Sequence, residues 1–197
     1  MAAAGGSAAG AGRSLRSVAE SSGVPALPNV KTARRWRGIV AFTHLAREGR
    51  MQELHVAART LGVPVEAFKA GTPSEIDTAF ANVVQRRAGA LHMAGDAFFN
   101  TRKEQFIVLS ARHALPTVFS LREFPAAGGL MSYGPSLTDA YRQQGIYAGR
   151  ILKGEKPAEM PVQQAVKVEL VINLQTAKTL GLSIPLPLLG RADEVIE

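Results

Sequence analysis

The sequence predicts an α/β fold in which a parallel sheet carries helices on both faces, and three observations lead there. Short apolar runs bounded by turn residues recur over residues 63–68, 90–95 and 116–120. Between them, apolar residues repeat at helical spacing over stretches long enough for the crossovers that parallel strands require. Of the 197 residues, 46% are hydrophobic and 20% charged, a balance that permits a buried core. Such β-α repetition implies right-handed connections.

Each element has its own signal. Residues 1–28 are rich in Gly, Ala and Ser and bury too little apolar surface to offset the entropy of ordering, so disorder is expected there. Ile39-Val40-Ala41-Phe42 has the composition of a short strand, flanked by Arg34-Arg35-Trp36-Arg37 and Arg47-Glu48-Gly49-Arg50. From Met51 the periods sharpen. Leu54, Ala57, Ala58 and Leu61 recur at helical spacing and stop at Gly62, a residue suited to a helix C-terminus. A strand over 63–68 comes next. Thr72 or Ser74 can then cap a helix carrying Ile76, Ala79, Phe80, Val83 and Val84, with Gly89 as its stop.

The next strand, 90–95, has Asp96 just past its end. A helix over about 101–113 buries Phe106, Ile107, Leu109 and Ser110 or Ala111, and 116–120 is a strand. Leu137, Ala140, Tyr141, Ala148, Ile151 and Leu152 form the apolar face of a helix over about 136–153, capped by Ser136 and stopped at Gly154. After a loop over 156–161 come a strand over 166–174 and a short helix over 175–180. Pro185-Leu186-Pro187 leads to a terminal turn.

Composition excludes several functions. The net charge of +7 is concentrated in residues 1–50, where eight Lys or Arg face two Asp or Glu. The remainder is nearly neutral, and no series of aromatics interleaves the basic residues, so no nucleic-acid partner is expected. Without cysteine there is neither a disulfide nor a thiolate site, and His44, His55, His92 and His113 lack metal-ligand spacing. His92, between Leu91 and Met93, reads as a buried or half-buried core histidine. No metal, cofactor or catalytic constellation is expected, hence no enzyme. The N-terminus has neither the early positive charge nor the apolar core of a secretory signal, which reads as cytoplasmic if the chain is translated as written.

Ser132-Tyr133-Gly134, Asp139-Ala140-Tyr141-Arg142-Gln143, the run from Gly145 to Gly149, Ile151-Leu152-Lys153-Gly154-Glu155-Lys156-Pro157-Ala158, Val168-Glu169-Leu170-Val171-Ile172-Asn173 and Ala192-Asp193-Glu194-Val195-Ile196 occur in that order. Together they resemble the C-terminal part of ABC-transporter substrate-binding proteins, a periplasmic family whose best-known members carry tryptophan and related amino acids. The resemblance runs back to about Met51, while residues 1–50 stand outside it apart from a lead-in at Pro28-Asn29-Val30-Lys31-Thr32. A change of reading frame between about Ala33 and Arg50 would produce that pattern. The resemblance implies that 51–197 is the second lobe of a type I periplasmic-binding-protein-like fold, with hinge crossings at about 122–134 and 160–168. It further implies a missing first lobe, a small amino-acid-like solute as ligand, an ABC permease in the membrane as partner, and a periplasmic location. Tyr133 falls near the implied hinge.

In open parallel sheets, ligands sit beyond the carboxyl ends of the strands. The residues there are Asp96, Phe98 and Phe99 after one strand and Arg122, Glu123 and Phe124 after the next, with Tyr133 added by the resemblance. A cleft for an amino-acid-like solute needs an acceptor for ammonium, donors for carboxylate and an apolar face. Asp96 and Glu123 suit the ammonium, Arg122 the carboxylate, and Phe98, Phe99 and Phe124 the apolar face. Adjacent Phe98 and Phe99 point opposite ways, so one belongs to the core, and Asp96 is equally suited to capping a helix. Alternatives are a ligand-sensing regulatory domain of the same fold, which would need a helix-turn-helix that residues 1–50 do not display, or a non-functional gene remnant. With no first lobe to cover it, the apolar face of helix 136–153 is expected to be partly exposed, favouring self-association, or to fold back on the N-terminal segment.

Overall fold

A computed structural model describes residues 38–43, 48–162 and 167–197. The disorder expected over 1–28 lies outside those residues, as does part of the crossing expected at 160–168. Seven strands form one sheet among the described residues: β1 (Ile39–Thr43), β2 (Val65–Lys69), β3 (Ala90–Met93), β4 (Thr117–Phe119), β5 (Met131–Pro135), β6 (Val168–Asn173) and β7 (Glu194–Ile196). Their order is β2-β1-β3-β4-β5-β6-β7, and every neighbouring pair is parallel except β5 and β6. The parallel arrangement expected over 63–121 is therefore present.

One boundary is corrected. Residues 38–43 were expected outside the folded lobe, yet β1 lies between β2 and β3, with Ile39 opposite both Val65 and Ala90. Its burial explains this: Val40, Ala41 and Phe42 are all buried, as a strand covered on both faces must be. Five residues without alternation carry no period to read. A frame change is not needed to supply this strand.

The strands are linked by α1 (Glu48–Leu61), α2 (Pro73–Gln85), α3 (Ala97–Thr101), α4 (Lys103–Arg112), α5 (Glu123–Ala126), α6 (Leu137–Leu152), α7 (Leu174–Thr179) and α8 (Leu186–Leu189). Local chemistry sets their ends. Thr72 Oγ1 accepts from Glu75 N–H at 3.2 Å, and Glu75 reaches back to accept from Gly71 N–H at 2.6 Å. Gly62 and Gly154 take the positive φ that ends α1 and α6. The helix expected over 101–113 is broken at Arg102, so a short α3 capped by Asp96 precedes α4.

On one face of the sheet, Val40, Phe42, Leu91, Met93 and Phe119 meet Ile76, Phe80 and Val83 of α2 and Phe106 and Leu109 of α4. Phe42 is its centre, with ring centroids 5.3 Å from Phe80 and 5.5 Å from Phe106. Ala41 and His92 lie in register with each other on the opposite face. Ala58 of α1 is buried outside the aromatic cluster. The structure is thus an α/β sheet with helices on both faces.

Helix α6 differs from its neighbours. Ser136 caps it, its Oγ accepting from Asp139 N–H at 3.3 Å, and Arg150 pairs with Glu155 at its end. No residue within it is buried, and Tyr141 and Leu152 are 65% and 88% exposed. Among the described residues, no helix is long and apolar enough to cross a membrane.

Candidate functional site

The carboxyl ends of β3 and β4 lie side by side, and β5 runs next to β4 in the same direction. Gly95 and Asp96 leave β3, Ser120 to Glu123 leave β4, and Tyr133-Gly134 stands on β5. The approach is close. A Cβ built on Gly95 would lie 3.2 Å from Ser120 Oγ, and one on Gly134 only 2.0 Å from Ser120 carbonyl O. Gly134 needs to be glycine because the backbone after β4 occupies the space of a side chain, while at Gly95 a side chain would press on that of Ser120.

The expected residues divide into four groups. Asp96 is a helix cap: its Oδ1 accepts from Phe98 N–H at 2.8 Å. Phe99 and Phe124 are core residues, a correction to their expected place on the ligand face. Phe99 is buried with its ring centroid 5.1 Å from Phe106, and Phe124 stacks on Phe119 at 4.5 Å. Fully covered rings have no face left for a solute. Phe98 is half-buried beneath the Arg102 guanidinium, while Glu123 and Tyr133 are exposed.

Arg122 is engaged elsewhere. Its guanidinium pairs with Glu194 at the start of β7, and the hydrogen bond and charge of that carboxylate raise its pKa further. Glu169 of β6 is likewise committed: Lys167 at 3.0 Å and the Ser136 hydroxyl hold its carboxyl below the ordinary range. The loops after β3 and β4 bring the acidic residues Asp96 and Glu123 to this edge. His92 is held below the ordinary histidine value by burial alone.

Sequence reasoning missed Ser120. Its Oγ is inaccessible to solvent and has no hydrogen-bond partner among the described residues. A small polar residue at the last position of an apolar run was the signal. The turn before β5 is held by Gly128 and Gly129. Gly128 has a φ of +103°, and a Cβ on Gly129 would lie 2.7 Å from the Phe119 ring.

Two hollows lie elsewhere. One of about 460 Å³ is bounded by α1 and by Val63, Pro64 and Val65 at the start of β2. The other, about 90 Å³, lies between α4, α7 and the segment leading into β5. Both are at the amino ends of their strands, away from the edge where open α/β sheets bind ligands.

The profile of the ABC transporter substrate binding protein family matches residues 27–196. The chain belongs to this family. The match takes in β1, in agreement with the central place of that strand. No curated protein matches the chain. Three solved structures show the same fold. The ABC domain from Streptococcus pneumonia in complex with L-Trp has a TM-score of 0.72 at 24% identity, over 87% of this chain and 60% of that one. A conserved domain protein from Vibrio cholerae has a TM-score of 0.71 at 21% identity, with the same coverages. A ligand-free, open substrate-binding protein with adhesive properties from Clostridium difficile has a TM-score of 0.58 at 18% identity, over 85% of this chain and 57% of that one. This substrate-binding family member therefore spans about 60% of the length of the first two structures it matches.

Proposed function

We propose that this chain is the solute-binding component of an ABC importer, taking up a small amino-acid-like solute in the periplasm for delivery to a membrane permease, without catalysis. Family membership carries the reading. The acidic edge formed by Asp96 and Glu123, with Arg122 neutralised by Glu194, favours the ammonium end of such a solute. Tyr133 and Phe98 offer aromatic surface beside it, and the segment around 122–134 serves as a crossing between lobes.

Because one solved family neighbour holds L-Trp, the test uses L-tryptophan, tryptamine and indole-3-propanoate in calorimetric titrations. L-Tryptophan and tryptamine should bind and indole-3-propanoate should not. Asp96→Ala should weaken binding of the two amines by about 2–5 kcal/mol, the scale for removing one partner of a buried charge pair. Loss of the cap should also cost about 1 kcal/mol of stability. Unchanged affinity in that variant would leave Asp96 as a cap alone, and failure of all three probes to bind would refute the amino-acid reading. The exposed stripe on α6 also supports self-association through that face.

A further inference from the structure

Buried polar atoms in folded proteins nearly always have hydrogen-bond partners, and an exception calls for a reason. Ser120 Oγ is such an exception among the described residues. Its location suggests the reason. Ser120 is the first residue past β4, at the carboxyl edge where open α/β sheets bind ligands. It is flanked in space by Gly95 on the β3 side and by Gly134 on β5, neither of which has a side chain to cover it. Extending the β4–β5 register by one residue places exposed Tyr133 beside it. Ser120 as a whole is half-exposed although its Oγ is not. Recognition through this hydroxyl therefore requires a change of χ1 to another staggered well that re-aims it toward solvent.

The surrounding charge indicates what the hydroxyl would meet. Asp96 follows Gly95 directly, and Glu123 lies three residues beyond Ser120. Arg122, the cation of that loop, is paired with Glu194. An oxygen acceptor among carboxylates complements an ammonium donor. We infer that Ser120 is a solute-recognition residue whose hydroxyl accepts a hydrogen bond from the amino group of an amine-bearing solute at the carboxyl ends of β3 and β4. This rests on the solute-binding reading above. A hydroxyl kept unpaired in the ligand-free fold costs stability that the solute returns on binding, as recognition groups often do.

Ser120→Ala tests this, since alanine removes only the oxygen. In the full chain, the variant should melt at a higher temperature than the unaltered protein and lose about tenfold in affinity for tryptamine and for L-tryptophan. A lower melting temperature would show that the hydroxyl has a structural partner and overturn the inference. So would unchanged affinity for both amines, while the Asp96 result would still stand for the broader reading. A loss confined to indole-3-propanoate would mean that the hydroxyl serves a carboxylate, which also overturns it. If the unaltered chain binds none of the three compounds, the solute-binding reading itself fails and Ser120 falls with it.

Discussion

Phe42→Ala probes the least expected feature of the fold, the central place of β1. Phe42 is fully buried, and its ring lies 6.4 Å from Phe68, 5.3 Å from Phe80, 6.5 Å from Phe99 and 5.5 Å from Phe106. Burial of the ring alone accounts for about 1.5–3 kcal/mol. The cavity left by its removal brings typical Phe→Ala losses to about 3–5 kcal/mol. Aromatic pairs add about 0.5–1.5 kcal/mol each beyond area, which puts this site toward the upper end. Against a domain stability of about 5–15 kcal/mol, the variant would be marginal. Urea unfolding followed by circular dichroism gives the difference, with Phe42→Leu as a control that keeps most of the volume and should cost under about 1.5 kcal/mol. A loss below about 1 kcal/mol for Phe42→Ala at unchanged m-value would show that β1 is not part of the cooperative sheet. The order β2-β1-β3 would then be wrong.

His92 is held below the ordinary histidine value of 6.5 by burial, so between its folded and unfolded pKa the unfolded chain binds more protons. Stability should accordingly fall as pH drops below about 6.5, the unfolded value, and His92→Leu should remove this component of the dependence in unfolding curves across that range. A slope that persists in the variant would assign the effect to another group. Leu152 is 88% exposed, so Leu152→Lys should change stability by less than about 0.5 kcal/mol while lowering the mass seen by light scattering. An unchanged monomeric mass in both proteins would rule out self-association through α6.

The sheet was legible where periods are long and caps explicit. Helix α2 follows from Thr72, Glu75 and the spacing of Ile76, Ala79, Phe80 and Val83, and the structure buries those four residues. Strand β5 was missed because Met131-Ser132-Tyr133-Gly134-Pro135 carries two residues that disfavour strands. Partners on both sides, β4 and β6, overrule that local preference. Strand β7 has three residues and depends on Asp193, whose carboxylate accepts from Leu170 N–H and whose own N–H donates to Leu170 O, both at 2.8 Å. Nothing local announces such a bond. At the site, chain position identified the correct edge but not the direction of side chains. Phe99 and Phe124 fill the core because α3 and α5 turn them inward, and Arg122 finds a counter-ion seventy-two residues away.

That distant counter-ion follows from the one reversal in the sheet. Since β5 and β6 are antiparallel and β7 follows β6, the amino end of β7 comes to the edge where β3 and β4 finish. Glu194 therefore stands across the sheet in the row of Val171, Ser132 and Phe119, within reach of Arg122. The last strand thus sets the electrical polarity of a surface formed mainly by residues far earlier in the chain. Stopping the chain before Asp193 would unmask the guanidinium and leave an unpaired cation at this edge. On the proposed solute-binding reading, a C-terminal deletion would change the charge of the candidate edge as well as the length of the chain.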